Sequence, residues 1–303
     1  MTLKQIEAFY WAAALGNFAV AAARLHITQS SLSKRIAELE REVDQTLFDR
    51  SHRHSVLTVA GERLLPRCRS MLDMAQDLRV AAKSPSNGEP LTGVCKFGIS
   101  ELSASTWLPR FVNRVRATHP ELILEPQIML TRQLERLVQR GELDFAVVAG
   151  TPVNEALTGQ VIAQVPFSWV ASPRFVHSGG ILKAEEFARL DILTHPPDSG
   201  LATVFNSWLT VHHLKVRRVI LCNSLTTITG LAVSNMGLSF LPTPYVQPLV
   251  EQGKLVLLRS DPALPILDYS FIWLRDDIRT RTQIMRSLVL PEIDFSVPNE
   301  LWL

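Results

Sequence analysis

A single breaker, SPSNGEP (Ser84 to Pro90), divides the chain into two stretches of incompatible local texture. Ser, Asn, Gly and Pro in one short run favour turns or remove a backbone donor, so regular structure is expected to stop there. Ahead of it the residues are rich in Ala and Leu, with no Pro before Pro66 and only Gly16 and Gly61 before the breaker region. Through roughly residue 80 this reads as almost wholly helical. Beyond Pro90 short apolar runs alternate with amphipathic helical ones. A small helical module is therefore expected to precede a larger α/β one, and 303 residues suit about two domains.

The helical part carries its own punctuation. Asn17 after Gly16 is an N-cap candidate for a short helix over Phe18 to Leu25, and Thr28 for a second one. In that second helix, QSSLSKRIAELEREV, the residues Leu32, Ile36, Leu39 and Val43 form one apolar stripe, while Gln29, Ser30, Ser33, Lys34 and Arg41 lie on another side. Two short helices, the second opening with small polar residues on its outer face, describe a helix-turn-helix. Bulky apolar side chains there would keep the helix out of a DNA groove. Gln pairs bidentately with adenine, and Ser and Lys suit phosphates or less stringent base contacts. A polar face alone also fits an ordinary surface helix, so the neighbouring segment decides. Phe48-Asp49-Arg50 followed by SHRHSVLTVAGERLL reads as a two-stranded hairpin, with Val56, Leu57 and Val59 apolar and a basic tip at Arg53, before a helix starting near Thr58. That is the layout of a wing beside a reading helix.

The charge divides along the same line. Lys and Arg number 31 against 29 Asp and Glu, a net of +2; residues 1–90 hold 12 basic and 10 acidic side chains and the remainder 19 of each. All of the surplus is N-terminal. It concentrates between Arg50 and Arg69, where Arg50, Arg53, Arg63, Arg67 and Arg69 face only Glu62, a distribution suited to a phosphate backbone. From Leu64 the positions Leu64, Cys68, Met71, Ala75, Leu78 and Ala82 repeat at alternating steps of four and three, a heptad seam expected to pair with a second copy of the chain. Pro66 is expected to disturb its first turn.

Other function classes find little support. No run of ~18 uncharged apolar residues occurs, and Glu7 interrupts any export core; neither a membrane span nor a leader is expected, and a cytoplasmic location follows. Cys68, Cys95 and Cys222 lie far apart with no CxxC or Cys/His spacing, so no metal or disulfide framework is expected. A redox pair of Cys95 and Cys222 is the alternative. His195, His212, His213, Asp191 and Asp198 lie close in sequence, yet no nucleophile motif or HExxH spacing accompanies them. An enzyme or a solute-binding protein on a two-lobed fold is therefore the weaker reading, as is an adaptor that dimerises without reading DNA.

The stretch Phe18 to Leu65 resembles the DNA-binding region of LysR-type transcriptional regulators. The matching elements are Ala21-Ala22, Leu25, Thr28-Gln29-Ser30, Leu32-Ser33, Ile36, Leu39-Glu40, Leu47-Phe48, Arg50, Leu57-Thr58 and Ala60-Gly61. LPRFVNRVRATHPEL, LERLVQRGELDFAV and LAVSNMGLSFLP extend the likeness, with Ser30 where Pro or Ala is frequent, Lys34 where Arg is, and Asn235 where Gly is. The resemblance implies a non-enzymatic regulator without a cofactor. Its implied fold is an all-α winged helix-turn-helix (1–59) and a long linker helix (60–87), then a two-lobed α/β effector domain (88–303) resembling the type 2 periplasmic binding proteins. Lobe I would cover about 91–162 and 268–303, and lobe II about 163–267. The implied partners are double-stranded DNA bearing an interrupted AT-rich inverted repeat, a small-molecule effector, a second or further copies of the chain in a homodimer or homotetramer, and RNA polymerase. Thr28, Gln29, Ser30, Ser33, Lys34 and Arg53 match DNA-binding positions.

In the C-terminal part, strand-helix alternation predicts parallel sheets of crossover units, with ligands at the carboxyl ends of strands. Short polar residues recur there: Ser100 and Ser103 in SELSAS, Thr131, Ser199 and Gly200 after Pro196-Pro197, and Ser224. Hydroxyls and helix N-termini together suit a small organic anion, aromatic acids included.

Overall fold

The computed structural model describes residues 1–49, 56–82, 90–175, 181–277 and 279–297. The chain forms two compact units, Met1–Glu89 with Ile278–Arg281, and Pro90–Asp277 with Thr282–Leu303.

In the first unit α1 (Leu3–Leu15), α2 (Phe18–Arg24) and α3 (Gln29–Val43) precede a minimal ribbon of β1 (Phe48–Asp49) and β2 (Val56–Leu57), then α4 (Val59–Ala82). Local chemistry sets these ends. Thr2 and Gln5 form a reciprocal capping box on α1, and the Asn17 carboxamide oxygen accepts from the Ala19 and Val20 amides at 2.8 and 3.2 Å. Leu32, Ile36 and Leu39 are buried as the stripe predicts, and Val43 at the helix end only partly so. They share a core with Phe9 and Phe48, whose rings meet edge to face at 5.6 Å. The buried Glu40 carboxylate accepts from the Leu47 and Phe48 amides at 2.8 and 3.3 Å, tying α3 to β1. β1 and β2 pair antiparallel, Phe48 opposite Leu57. Gly61 is required by close approach: a Cβ there would lie 2.3 Å from the Leu47 carbonyl oxygen. The helix expected near Thr58 runs without a break through Pro66. Along its seam Met71 and Leu78 are 42% and 67% exposed, and Leu64 and Ala75 are half-buried. Cys68 corrects the expectation: at 1% exposure it is already covered by its own chain, and burial pushes its thiol up to about 11.

The second unit contains two sheets. One orders β4 (Leu122–Ile128), β3 (Gly93–Ile99), β5 (Phe145–Ala149), β13 (Leu267–Leu274) and β6 (Leu157–Val165); the other orders β10 (Arg218–Leu221), β9 (Asp191–Thr194), β11 (Leu238–Pro242), β7 (Phe167–Ala171), β12 (Val256–Asp261) and β8 (Ile181–Lys183). The helices are α5 (Glu101–Ser105), α6 (Leu108–Thr118), α7 (Thr131–Gln139), α8 (Gly200–Val211), α9 (Leu225–Val233), α10 (Thr243–Glu251) and α11 (Thr280–Val289). The expectation of parallel sheets is corrected. β13 runs antiparallel to β5 and β6, and β7 antiparallel to β11 and β12. The chain crosses from the first sheet to the second between β6 and β7 through Pro166 alone and returns between β12 and β13 through five residues, so β13 re-enters the first sheet, and β7 opens the second, without the crossover helix that a parallel neighbour needs. Cys95 lies in β3 of the first sheet and Cys222 beside β10 of the second, which leaves the redox-pair alternative without support.

Phe97, Phe145 and Phe271 stack through the first sheet, with centroids 5.2 and 4.7 Å apart. Trp169, Phe205, Trp208 and Phe240 cluster under the second. Asn235 adopts φ of 61°, a left-handed conformation that Asn tolerates better than most side chains, so this departure from the family's Gly preserves the turn.

Candidate functional site

The polar face of α3 is presented as the sequence predicts. The Thr28 hydroxyl oxygen accepts the Ser31 amide at 3.2 Å and lies 3.0 Å from the Ser30 hydroxyl. Gln29, Ser30 and Lys34 are exposed and Ser33 is half-buried. Ser31, absent from the expected set, is exposed on the same turn; a four-residue view of the cap would have found it. The α3 core stripe faces away, so this first turn is free to meet base edges. Arg53 lies outside the described residues.

In the second unit, a cavity of about 130 Å³ opens at the carboxyl ends of strands from both sheets, where α7, α8 and α9 begin. Ser100, Thr131 and Ser199, three of the expected residues, line it. Each has a local hydrogen-bonding role: Ser100 accepts the Ser103 amide at 3.2 Å, Ser199 accepts the Leu201 amide at 3.2 Å, and Thr131 donates to the Ala149 carbonyl at 3.4 Å. The other three expected residues do not line it. Ser103 is fully buried beneath the cap with its hydroxyl 3.1 Å from that of Ser100. Gly200 starts α8 with its backbone pressed on β5, and Ser224 accepts the Thr227 amide at 3.2 Å, while its neighbours Asn223 and Leu225 reach the cavity.

Glu101, His195 and Tyr269 also line it, without having been expected there. Glu101 sits next to Ser100 in SELSAS, and attention to hydroxyls alone passes over it. The buried Tyr269 phenol hydrogen-bonds Ser100, and burial raises its pKa. His195 is 8% exposed, and its Nδ1 is buried with no hydrogen-bond partner. Burial holds its pKa down at about 4, with the Glu101 charge pulling the other way. The imidazole is thus neutral at physiological pH. Among the described residues no Lys or Arg lines the cavity, while the amides of Gln133 and Asn223 do, so neutral polar side chains and helix N-termini are its means of holding polar groups.

The neutral His195 has a consequence for stability. Its folded pKa lies below the ordinary value of 6.5, so the unfolded chain takes up the proton first as pH falls. Its contribution is then complete above about pH 6.5 and is lost towards about pH 4, roughly 2 kcal/mol of it by about pH 5. Thermal unfolding of the wild type and His195→Gln at neutral pH and about pH 5 checks this. The variant is expected to lose less stability on acidification, and equal losses would contradict the assignment.

Comparison with known proteins matches residues 3–62 to the bacterial regulatory helix-turn-helix protein family of lysR type, and residues 88–291 to the LysR substrate binding domain. The HTH-type transcriptional regulator CfxR of Cupriavidus necator is 28% identical over 259 residues, 85% of this chain and 81% of that one. A full-length OxyR variant of Pseudomonas aeruginosa superposes with a TM-score of 0.71 at 20% identity, covering 96% of this chain and 94% of that one. Full-length CbnR in complex with its target DNA does so with a TM-score of 0.52 at 18% identity, covering 96% and 99%. With both of its parts matched in order, the chain belongs to the LysR family of DNA-binding transcriptional regulators and carries that family's substrate-binding domain.

Proposed function

We propose that this regulator controls a neighbouring operon from the cytoplasm in response to a small organic anion, aromatic acids included. The observation that carries the effector class is the convergence of Ser100, Thr131 and Ser199 with the starts of α7 and α8 on one cavity. Helix N-termini and hydroxyls favour negative charge without a salt bridge. The volume of about 130 Å³ suits a group the size of a single ring, comparable to the cavities of about 150 Å³ that accept benzene. Calorimetric titration of the full chain with a panel of carboxylates, sulfonates, neutral compounds and amines tests it. Binding confined to the acids is expected; binding confined to neutral or cationic compounds would overturn the anion reading.

On DNA, Gln29, Ser30, Ser33 and Lys34 meet an interrupted AT-rich inverted repeat, Thr28 holds the turn that carries them, and Arg53 contacts the backbone from the wing. Gln29→Ala is expected to lose about 1–3 kcal/mol of specific binding and relax one base position. Arg53→Ala is expected to weaken binding to all sequences and flatten its salt dependence. Footprints and salt titrations on DNA upstream of the gene separate the two, and an unchanged sequence profile for Gln29→Ala would remove it from base readout. Two copies pair through the exposed seam of α4, matching two half-sites, and the bound oligomer acts on RNA polymerase.

A further inference from the structure

Among the described residues one carboxylate, that of Glu101, lines the cavity, and it is already committed. Glu101 belongs to α5, which follows β3 of the first sheet, and its partners belong to α9, which precedes β11 of the second. Its Oε2 accepts the Leu225 amide at 2.6 Å; its Oε1 accepts the Thr226 amide at 3.0 Å, the Thr226 hydroxyl at 2.7 Å and the Ser224 hydroxyl at 3.4 Å. A charged acceptor on the first amides of a helix is among the stronger polar contacts a protein makes. A second strap joins the lobes: the Arg132 amide donates to the Asp198 carbonyl at 2.9 Å, and Arg136 pairs with the Asp198 carboxylate at 3.1 Å.

We propose that Glu101 is an inter-lobe latch: its carboxylate, reaching from one lobe to the start of α9 in the other, holds the effector cleft in the arrangement seen, and its release lets the lobes move apart. A helix cap of this kind would ordinarily come from the residue just before the helix. Ser224 already supplies that local cap to α9, so the Glu101 contacts join two bodies rather than complete one helix end. Among the described residues no cation of the cavity wall shares the latch charge, since burial keeps His195 neutral and no Lys or Arg lines the space. An acid placed in the cleft therefore sets a second negative charge near Glu101 and favours release. This last step rests on the anionic effector proposed above; the latch itself does not.

Hydrogen exchange of the full-length protein tests the latch without any effector. In Glu101→Ala, and in the isosteric Glu101→Gln that guards against a folding defect, exchange at Leu225 and Thr226 is expected to rise at least about tenfold. Exchange at the remote Arg132 amide is expected to rise with it. Acetate, sized to refill the space left in Glu101→Ala, is expected to restore protection at all three. Faster exchange at Leu225 and Thr226 with Arg132 unmoved would make Glu101 a local cap and overturn the latch, as would acetate that restores nothing. If Arg132 loosens while acids fail to bind the wild type, the latch stands and the anionic effector falls.

Discussion

Glutamate at both Met71 and Leu78 is expected to leave the protein monomeric. The two side chains lie on the heptad stripe of α4 and remain 42% and 67% exposed in the single chain, a large apolar area facing water along one helix. Burying a charge without a partner costs several kcal/mol, and two glutamates place like charges across the seam whether the paired helices run parallel or antiparallel. That cost exceeds what a short helix seam supplies by packing, so the dimer is lost outright. Cys68 sharpens the comparison. It falls on the same stripe but is already covered by its own chain, so Cys68→Ser is expected to lower stability without separating the subunits. Sedimentation of Met71→Glu/Leu78→Glu that shows an intact dimer would overturn the seam. Loss of the dimer should also remove two-site DNA binding, since one reading helix then engages one half-site alone.

Alanine at Gly200 is expected to be the most damaging single methyl group in the effector domain. Its Cβ would stand 2.1 Å from the Ala149 carbonyl oxygen and 3.0 Å from the Thr131 hydroxyl. Neither the end of β5 nor the start of α7 is a flexible side-chain tip, so α8 itself must shift. Overpacking of this kind costs about 1–3 kcal/mol. It also moves Ser199 and Thr131, two walls of the cavity, so effector binding is expected to fail along with stability. Gly230→Ala is the matched control: inside α9, with nothing within 4 Å of the added methyl, it is expected to raise stability by up to about 1 kcal/mol through helix propensity alone. Thermal unfolding of the two variants should move in opposite directions. A Gly200→Ala protein as stable as the wild type would show that α8 and β5 are not held at this spacing.

Features decided by neighbouring residues were legible in the sequence. Asn17 and Thr28 cap their helices as expected because an N-cap engages amides two or three positions away. The stripe from Leu32 to Leu39 is buried because helical period and burial coincide. Elements that contradict local rules were not legible. β6 shows no clean alternation of buried and exposed positions, and α10 carries Pro at its start and again at Pro248. The Pro248 amide has no intrahelical bond to give, and burial of Tyr245, Val246 and Leu249 holds the helix instead.

The site divides in the same way. Ser100, Thr131 and Ser199 were found because each marks a strand end or helix start, a local signature. Glu101 and His195 were not, because what makes them part of the site is set by residues far along the chain: Leu225 lies 124 positions from Glu101, and the burial of His195 depends on how the sheets are covered. By itself the sequence determined the order of modules, the polar face of α3, the apolar stripe along α4 and the N-terminal share of the charge, since period, capping and counting need only near neighbours. The tertiary structure alone decided that the sheets are mixed, that Cys68 is covered, and that the Glu101 carboxylate reaches the start of α9, because those outcomes depend on which distant segments the fold brings within hydrogen-bonding reach.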